Sequence, residues 1–138
     1  MATKQEITAF LLSAFPQTRC TVEAVEKRSA TVRLEVGDAD LRPGGTVSGP
    51  VLMAVADVAL YVAILGEIGI VPLTLTTSLN INFLRRPAAD RAVVGVCTLL
   101  KVGKSLAVGE VALYSEGIDD PVAHAVGTYS IPRRESGA

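Results

Sequence analysis

The sequence predicts an α+β domain in which one long central helix is wrapped by a curved antiparallel sheet of five to six strands. Three observations predict it. Residues 51–65 are apolar on every face except at Asp57, and a helix that is hydrophobic all round lies inside a protein. Four strand-like segments follow, at roughly 74–84, 91–102, 105–116 and 121–131, with short turns at Arg85-Arg86-Pro87-Ala88 and Val102-Gly103-Lys104. A flat sheet covers only one side of a helix, so a helix with no polar face requires the sheet to curl around it.

Ile7, Phe10, Leu11 and Ala14 recur at helical spacing within residues 4–15, and Pro16 follows. This spacing predicts a short amphipathic helix within residues 1–16. Residues 30–36 alternate, with Val32, Leu34 and Val36 on one side and Thr31, Arg33 and Glu35 on the other. That is a half-exposed strand, paired with residues 21–26 through a turn near Lys27-Arg28. Residues 37–49 form a loop rich in Gly, Pro and Asp. Ser48 or Gly49 suits the cap of the central helix and Pro50 its first turn, while Gly66 and Gly69 end it. Residues 132–138 read as a flexible tail, and residues 1–138 as a single domain.

About half the residues are apolar (49%) and the formal net charge is −1. These values exclude a disordered polyelectrolyte and leave no basic field for nucleic acid. Trp is absent and aromatics are few, so base-stacking platforms are not expected. Cys20 and Cys97 stand far apart in sequence and His124 is the sole histidine. Neither a disulfide framework, a metal site nor a His-based triad within one chain is expected. The apolar run 51–65 is about five residues short of the ~20 that a membrane span needs, and it carries an acid near its middle. The first seven residues have no apolar signal core, so the expectation is a cytoplasmic protein without membrane association.

An ionised carboxylate in an apolar helix is costly to bury without partners, so Asp57 is the first candidate for chemistry. In the strand at 74–84, Leu73, Leu75, Leu79, Ile81 and Phe83 share one face and Thr74, Thr76, Ser78, Asn80 and Asn82 the other. Thr77 falls in register with the leucines and is the expected hydroxyl partner of Asp57. The third candidate is the helix start, where the Gly49 N–H, with the helix dipole behind it, could hold a phosphate or the oxyanion of an attacked carbonyl. Gly49 and Asp57 are eight residues apart on one helix, hence about 12 Å. Both can act on one carbonyl only from different chains, which predicts a two-fold dimer with two shared sites. An acid facing a carbonyl held by an amide suits acyl transfer to water, with Asp57 as general base or nucleophile. A thioester fits best, because its thiol, with a pKa near 8.5, departs with little help from an acid.

Three motifs stand out between roughly Arg42 and Tyr129: Ser48-Gly49-Pro50 followed by Ala56-Asp57, the run Asn80-Ile81-Asn82-Phe83-Leu84-Arg85-Arg86-Pro87-Ala88, and Leu100-Lys101-Val102-Gly103-Lys104-Ser105-Leu106. Through them the chain resembles the hotdog-fold acyl-CoA thioesterases of the phenylacetate-degradation type, within the 4-hydroxybenzoyl-CoA thioesterase superfamily. The resemblance implies a hotdog fold, dimers that often pair into tetramers, and an acyl-CoA substrate with coenzyme A as its leaving group and no separate cofactor. It implies that the Gly49 amide polarises the thioester, that Asp57 of the opposite subunit activates water or attacks, and that Thr77 helps place the water. The chain departs from the family where His-Gly-Gly becomes Ser48-Gly49-Pro50 and where an upstream Asn becomes Arg42. The family's His and Asn orient the thioester; here the amide, the acid and a hydroxyl remain, with Ser48, Pro50 and Arg42 placed to line the substrate.

Arg85, Arg86, Lys101 and Lys104 sit at two strand ends, either as a solvated rim or as contacts for coenzyme A phosphates. Tyr61, one turn after Asp57, lines the acyl pocket or packs. His124 reads as a strand residue with a structural hydrogen bond. Two other readings stay open. One is a non-catalytic acyl-CoA or ligand-binding homologue; the other is a hotdog dehydratase, which normally needs a His beside the acid.

Overall fold

The computed structural model describes residues 1–133, so the end of the expected tail, residues 134–138, lies outside the described residues. Helix α1 (Lys4–Ala14) is followed by strands β1 (Thr21–Glu26) and β2 (Ser29–Leu34), a 3-10 turn at Asp38–Asp40, and two short strands, β3 (Leu41–Arg42) and β4 (Thr46–Val47). Helix α2 (Gly49–Ile68) comes next, then β5 (Leu75–Phe83), β6 (Val93–Val102), β7 (Leu106–Ser115) and β8 (Ala123–Ser130). The main sheet has six strands in the order β1-β2-β6-β7-β8-β5, every neighbouring pair antiparallel. The expected long helix within a curved antiparallel sheet is therefore present, with β1 and β5 at the edges.

Local chemistry explains the boundaries. Thr3 caps α1 by accepting from the Glu6 N–H while the Glu6 carboxylate accepts from the Thr3 N–H, a reciprocal capping box. Ile7 and Leu11 bury against the body of the protein. The turn between β1 and β2 places Arg28 at φ 56. Helix α2 runs through Gly66 and stops only at Gly69, whose φ is 92.

The core is α2 pressed chiefly onto β6, β2 and β7. Close approach depends on glycines. Gly109 and Gly127 are direct cross-strand partners on β7 and β8, and together they form the notch that receives Leu60, which is fully buried. A Cβ at Gly109 would lie 2.8 Å from Leu60 Cδ2, and one at Gly127 would overlap Leu60 Cδ1.

Two expectations need correction. The helix is 20 residues long, so by length and hydropathy it could cross a membrane; what identifies it as a core helix is its burial under the sheet. Nor is it covered on all sides. Pro50, Met53 and Ala54 are exposed and Asp57 is half-buried, a stripe at helical spacing that leaves one side of the first two turns open. Asp57 is thus at the edge of the core rather than sealed within it.

Strand β5 departs from simple alternation. Its register against β8 shifts between Thr76 and Ser78, leaving Thr77 as the extra residue of a β-bulge. A single inserted residue inverts which face the preceding side chains occupy. Leu79 and Ile81 therefore pack on the core, while Leu73 and Leu75 turn outward at 68% and 57% exposure and Thr74 turns inward at 2%.

The notch around Leu60 generates a test. Gly127→Ala forces Leu60 out of its well, and overpacking of this kind costs about 1–3 kcal/mol. Unfolding free energy lowered by that amount is expected, seen as a lower urea midpoint with an unchanged m-value; an unaltered midpoint would refute the notch.

Candidate active site

Asp57 lies two turns into α2 and receives two hydroxyls. Thr76 Oγ1 donates to Asp57 Oδ1 at 2.7 Å. The Tyr129 hydroxyl lies 2.5 Å from the same Oδ1 and 2.8 Å from the Asp57 carbonyl oxygen. Thr77, the expected partner, instead donates to the Thr128 carbonyl at 3.2 Å. The bulge is the reason: it rotates Thr76 rather than Thr77 toward the helix.

The carboxylate opens into a cavity of about 320 Å³ whose walls include Phe10, Tyr61, Thr74, Leu75, Thr76 and Tyr129. Tyr61 stacks on Tyr129 with ring centroids 6.2 Å apart and spends its hydroxyl on the Pro72 carbonyl at 3.0 Å. Burial pushes both phenols above the ordinary tyrosine range, Tyr129 the further because the Asp57 charge adds to it. Both therefore stay protonated at neutral pH. Thr74 Oγ1 borders the same cavity and is the buried side-chain oxygen that lacks a hydrogen-bond partner among the described residues.

Gly49 begins α2, and its N–H has no carbonyl within the helix to reach. Ser48 occupies the cap position but its side chain makes no capping bond, and Pro50 has no N–H. The helix start thus keeps open donors with the dipole behind them. The Ser48 N–H donates to the Asp40 carbonyl at 2.9 Å, which fixes the peptide just before Gly49. Asp40 is itself anchored, accepting from the Gly37 N–H at 2.8 Å and pairing with Arg19. Burial alone would raise the Asp40 carboxyl, but the Gly37 amide and the Arg19 guanidinium outweigh it and hold it below its ordinary value.

Gly49 faces a second cavity, about 810 Å³, bordered by Arg42, Pro50, Phe83, Arg85 and Arg86. The Phe83 ring packs so close that a Cβ on Gly49 would meet its Cζ at 3.2 Å. Gly49 and Asp57 of one chain therefore line separate cavities. The basic residues also divide. Arg42, Arg85 and Arg86 gather at the start of α2, and Arg85 donates to the Pro121 carbonyl. Lys104 lies at the turn between β6 and β7, beside Ile68 at the far end of α2, and Lys101 is on the β6 end of that hairpin. They form two groups on one chain rather than one.

His124 contacts Glu110 at 2.9 Å across β7 and β8, the structural bond expected of it. Cys20 and Cys97 are free, and burial pushes the Cys97 thiol up to about 12. Sequence patterning missed two residues at the carboxylate. Thr76 was hidden by the bulge, and Tyr129 lies on β8, 72 residues from Asp57, with no local signal to tie them.

The family model of the thioesterase superfamily matches residues 44–122. Among solved structures, a thioesterase candidate from Silicibacter sp. is 43% identical, with a TM-score of 0.87 over 94% of this chain and 92% of that one. Zebrafish thioesterase superfamily member 2 superposes at a TM-score of 0.83 with 18% identity, covering 96% of this chain and 100% of that one. A variant of the phenylacetic acid degradation protein from Thermus thermophilus gives a TM-score of 0.73 with 23% identity, covering 90% and 99%. No curated protein matches the chain.

The Asp40 anchor has a pH signature. Because its folded-state pKa lies below the unfolded value of about 3.9, its contribution is complete above that value and is lost as pH falls through the lower folded one. Asp40→Asn should be less stable than the parent at pH 7 and lose less stability on acidification to about pH 3. Parallel acid limbs in urea titrations of the two proteins would contradict the anchor.

Proposed function

The chain belongs to the thioesterase superfamily, and we propose that it hydrolyses an acyl-CoA thioester at two equivalent sites, each shared between the chains of a homodimer. The observation that carries this reading is the placement of the amide donor and the acid in separate cavities of one chain. Two turns of rigid helix, about 12 Å, divide them.

The edge strand suggests how two chains bring them together. Among the described residues β5 bonds only to β8, and its other edge, nine residues long with exposed Leu75 and Phe83, invites another strand. The uncovered stripe Pro50, Met53, Ala54 and Asp57 runs alongside it. Antiparallel pairing of two β5 strands about Leu79 sets the Leu75 end of one against the Phe83 end of the other. Thr76 touches Asp57 and Phe83 touches Gly49 within each chain. The pairing therefore delivers the Asp57 of one protomer to the Gly49 of its partner, twice. It also returns the hairpin carrying Lys101 and Lys104 to the end where the partner's arginines lie. Dimers could pair further through other faces.

The chemistry follows from the groups present. The Gly49 N–H would take the thioester oxygen as it becomes an oxyanion, a donor worth about 10²–10³ in rate. Asp57 would remove a proton from water as the water oxygen bonds to the carbonyl carbon, or would attack that carbon itself to give a mixed anhydride that water then cleaves after the thiol has left. The C–S bond then breaks, and coenzyme A leaves as thiolate. Ser48 and Pro50 border the carbonyl, Arg42, Arg85 and Arg86 suit the coenzyme A phosphates, and Tyr61 walls the acyl side. Placement of the water, expected of Thr77, passes to Thr76.

Thiol release from short, medium, long and aryl acyl-CoA esters tests the proposal. Asp57→Asn should lower kcat by about 10²–10⁴, and Thr76→Val by about 10- to 100-fold, while Thr77→Val stays within about twofold. Absence of turnover by the parent protein with every ester would favour an acyl-CoA-binding protein instead.

A further inference from the structure

We propose that Tyr129 is a positioning residue for Asp57: with Thr76 it saturates Oδ1, so that Oδ2 alone is presented to the reacting groups. The inference rests on the thioesterase reading for its catalytic consequence, but its geometry is a property of the protein alone. Tyr129 lies beyond residues 44–122, the stretch matched by the family model.

Three observations carry it. The Tyr129 side chain has no freedom, being 2% exposed and stacked on Tyr61 at an interplanar angle of 26°. Its hydroxyl spans the Asp57 carboxylate and the carbonyl of the same residue, at 2.5 and 2.8 Å. Thr76 converges on the same Oδ1 from β5 at 2.7 Å, and no side-chain donor among the described residues meets Oδ2. Hydrogen bonds to a charged acceptor are stronger than neutral ones. Two of them on one oxygen stop the carboxylate from turning about its last bond. The strands that supply them, β8 and β5, are paired with each other, with Thr76 opposite Tyr129.

A clamped carboxylate has a fixed direction of attack. Oδ2 is left to accept the proton of water or to bond to the thioester carbon. Without Tyr129 the group would retain Thr76 as its one donor and could exchange its two oxygens. Misplacement of a reacting group by about 1 Å can cost about 10²-fold.

The test combines turnover with a readout that needs none. Tyr129→Phe keeps the ring and removes the hydroxyl. It should lower kcat by about 10- to 100-fold with KM within about threefold, and 3-fluorotyrosine at position 129, which keeps the donor, should restore most of that loss. In protein carrying ¹³C-labelled aspartate, the Asp57 carboxyl resonance, assigned by its absence from Asp57→Asn, should move in Tyr129→Phe and not in Thr77→Val. A resonance that stays put in Tyr129→Phe, or unchanged kcat, would overturn the inference. If Tyr129→Phe fails to fold, the 3-fluorotyrosine protein decides, since its altered donor strength must also move the resonance. A moved resonance in a protein that hydrolyses no acyl-CoA would support the clamp and sink the thioesterase reading instead.

Discussion

One rigid helix sets the terms for everything else in this molecule. It holds an amide donor at its first residue and a carboxylate eight residues later, and no side-chain rotation closes a gap of about 12 Å. The rest of the architecture can be read as a response to that separation. The sheet packs over α2 but leaves one side of its first two turns open, beside the edge strand β5. The open stripe and the free edge are adjacent because β5 follows α2 directly and lies at the end of the strand order. A fold that completed its own core would have no place to join a second chain there.

Packing fixes the helix that carries these groups. Leu60, three residues beyond Asp57, is locked in the notch of Gly109 and Gly127, so the rotation of α2 about its axis is determined one turn from the acid. Asp57 then emerges at the rim of the core. There the apolar surroundings weaken hydration, and two hydroxyls replace what water would have supplied. At the other end of the helix, Asp40 ties the Arg19 segment and Gly37 to the peptide that precedes Gly49. Asp57 and Gly49 thus each have an anchor of their own, one made of hydroxyls and one of an ion pair.

Much of this was legible in the sequence, and the rest was hidden for identifiable reasons. The period of the apolar residues marked α2 and most of the strands, because burial acts directly on periodicity. Asp57 was conspicuous as the one charge in an apolar run, and Gly49 as a glycine at a helix start. The choice of Thr77 over Thr76 failed at a single inserted residue, since alternation assumes an unbroken ladder and a bulge resets it. The open side of α2 was invisible because its exposed members, Met53 and Ala54, are as apolar as the buried ones. Tyr129 carries no local mark, as its contact with Asp57 exists only through the pairing of β8 with β5. Lys101 and Lys104 sit at the end of a strand as Arg85 and Arg86 do, but antiparallel order sends those ends in opposite directions.

The proposal of a shared site is tested most directly by complementation between two inactive chains. Asp57→Asn removes the acid, and Gly49→Pro removes the amide proton at a position where proline suits the first turn of a helix and Ser48 is already extended. In a mixed dimer, the unmodified Gly49 of one chain would meet the unmodified Asp57 of the other. Co-expressed and purified through different tags, the mixed dimer should recover about half the parental thioester hydrolysis, from one intact site of two, while each parent variant alone stays inactive. A mixed dimer as inactive as its components would contradict a site built from two chains.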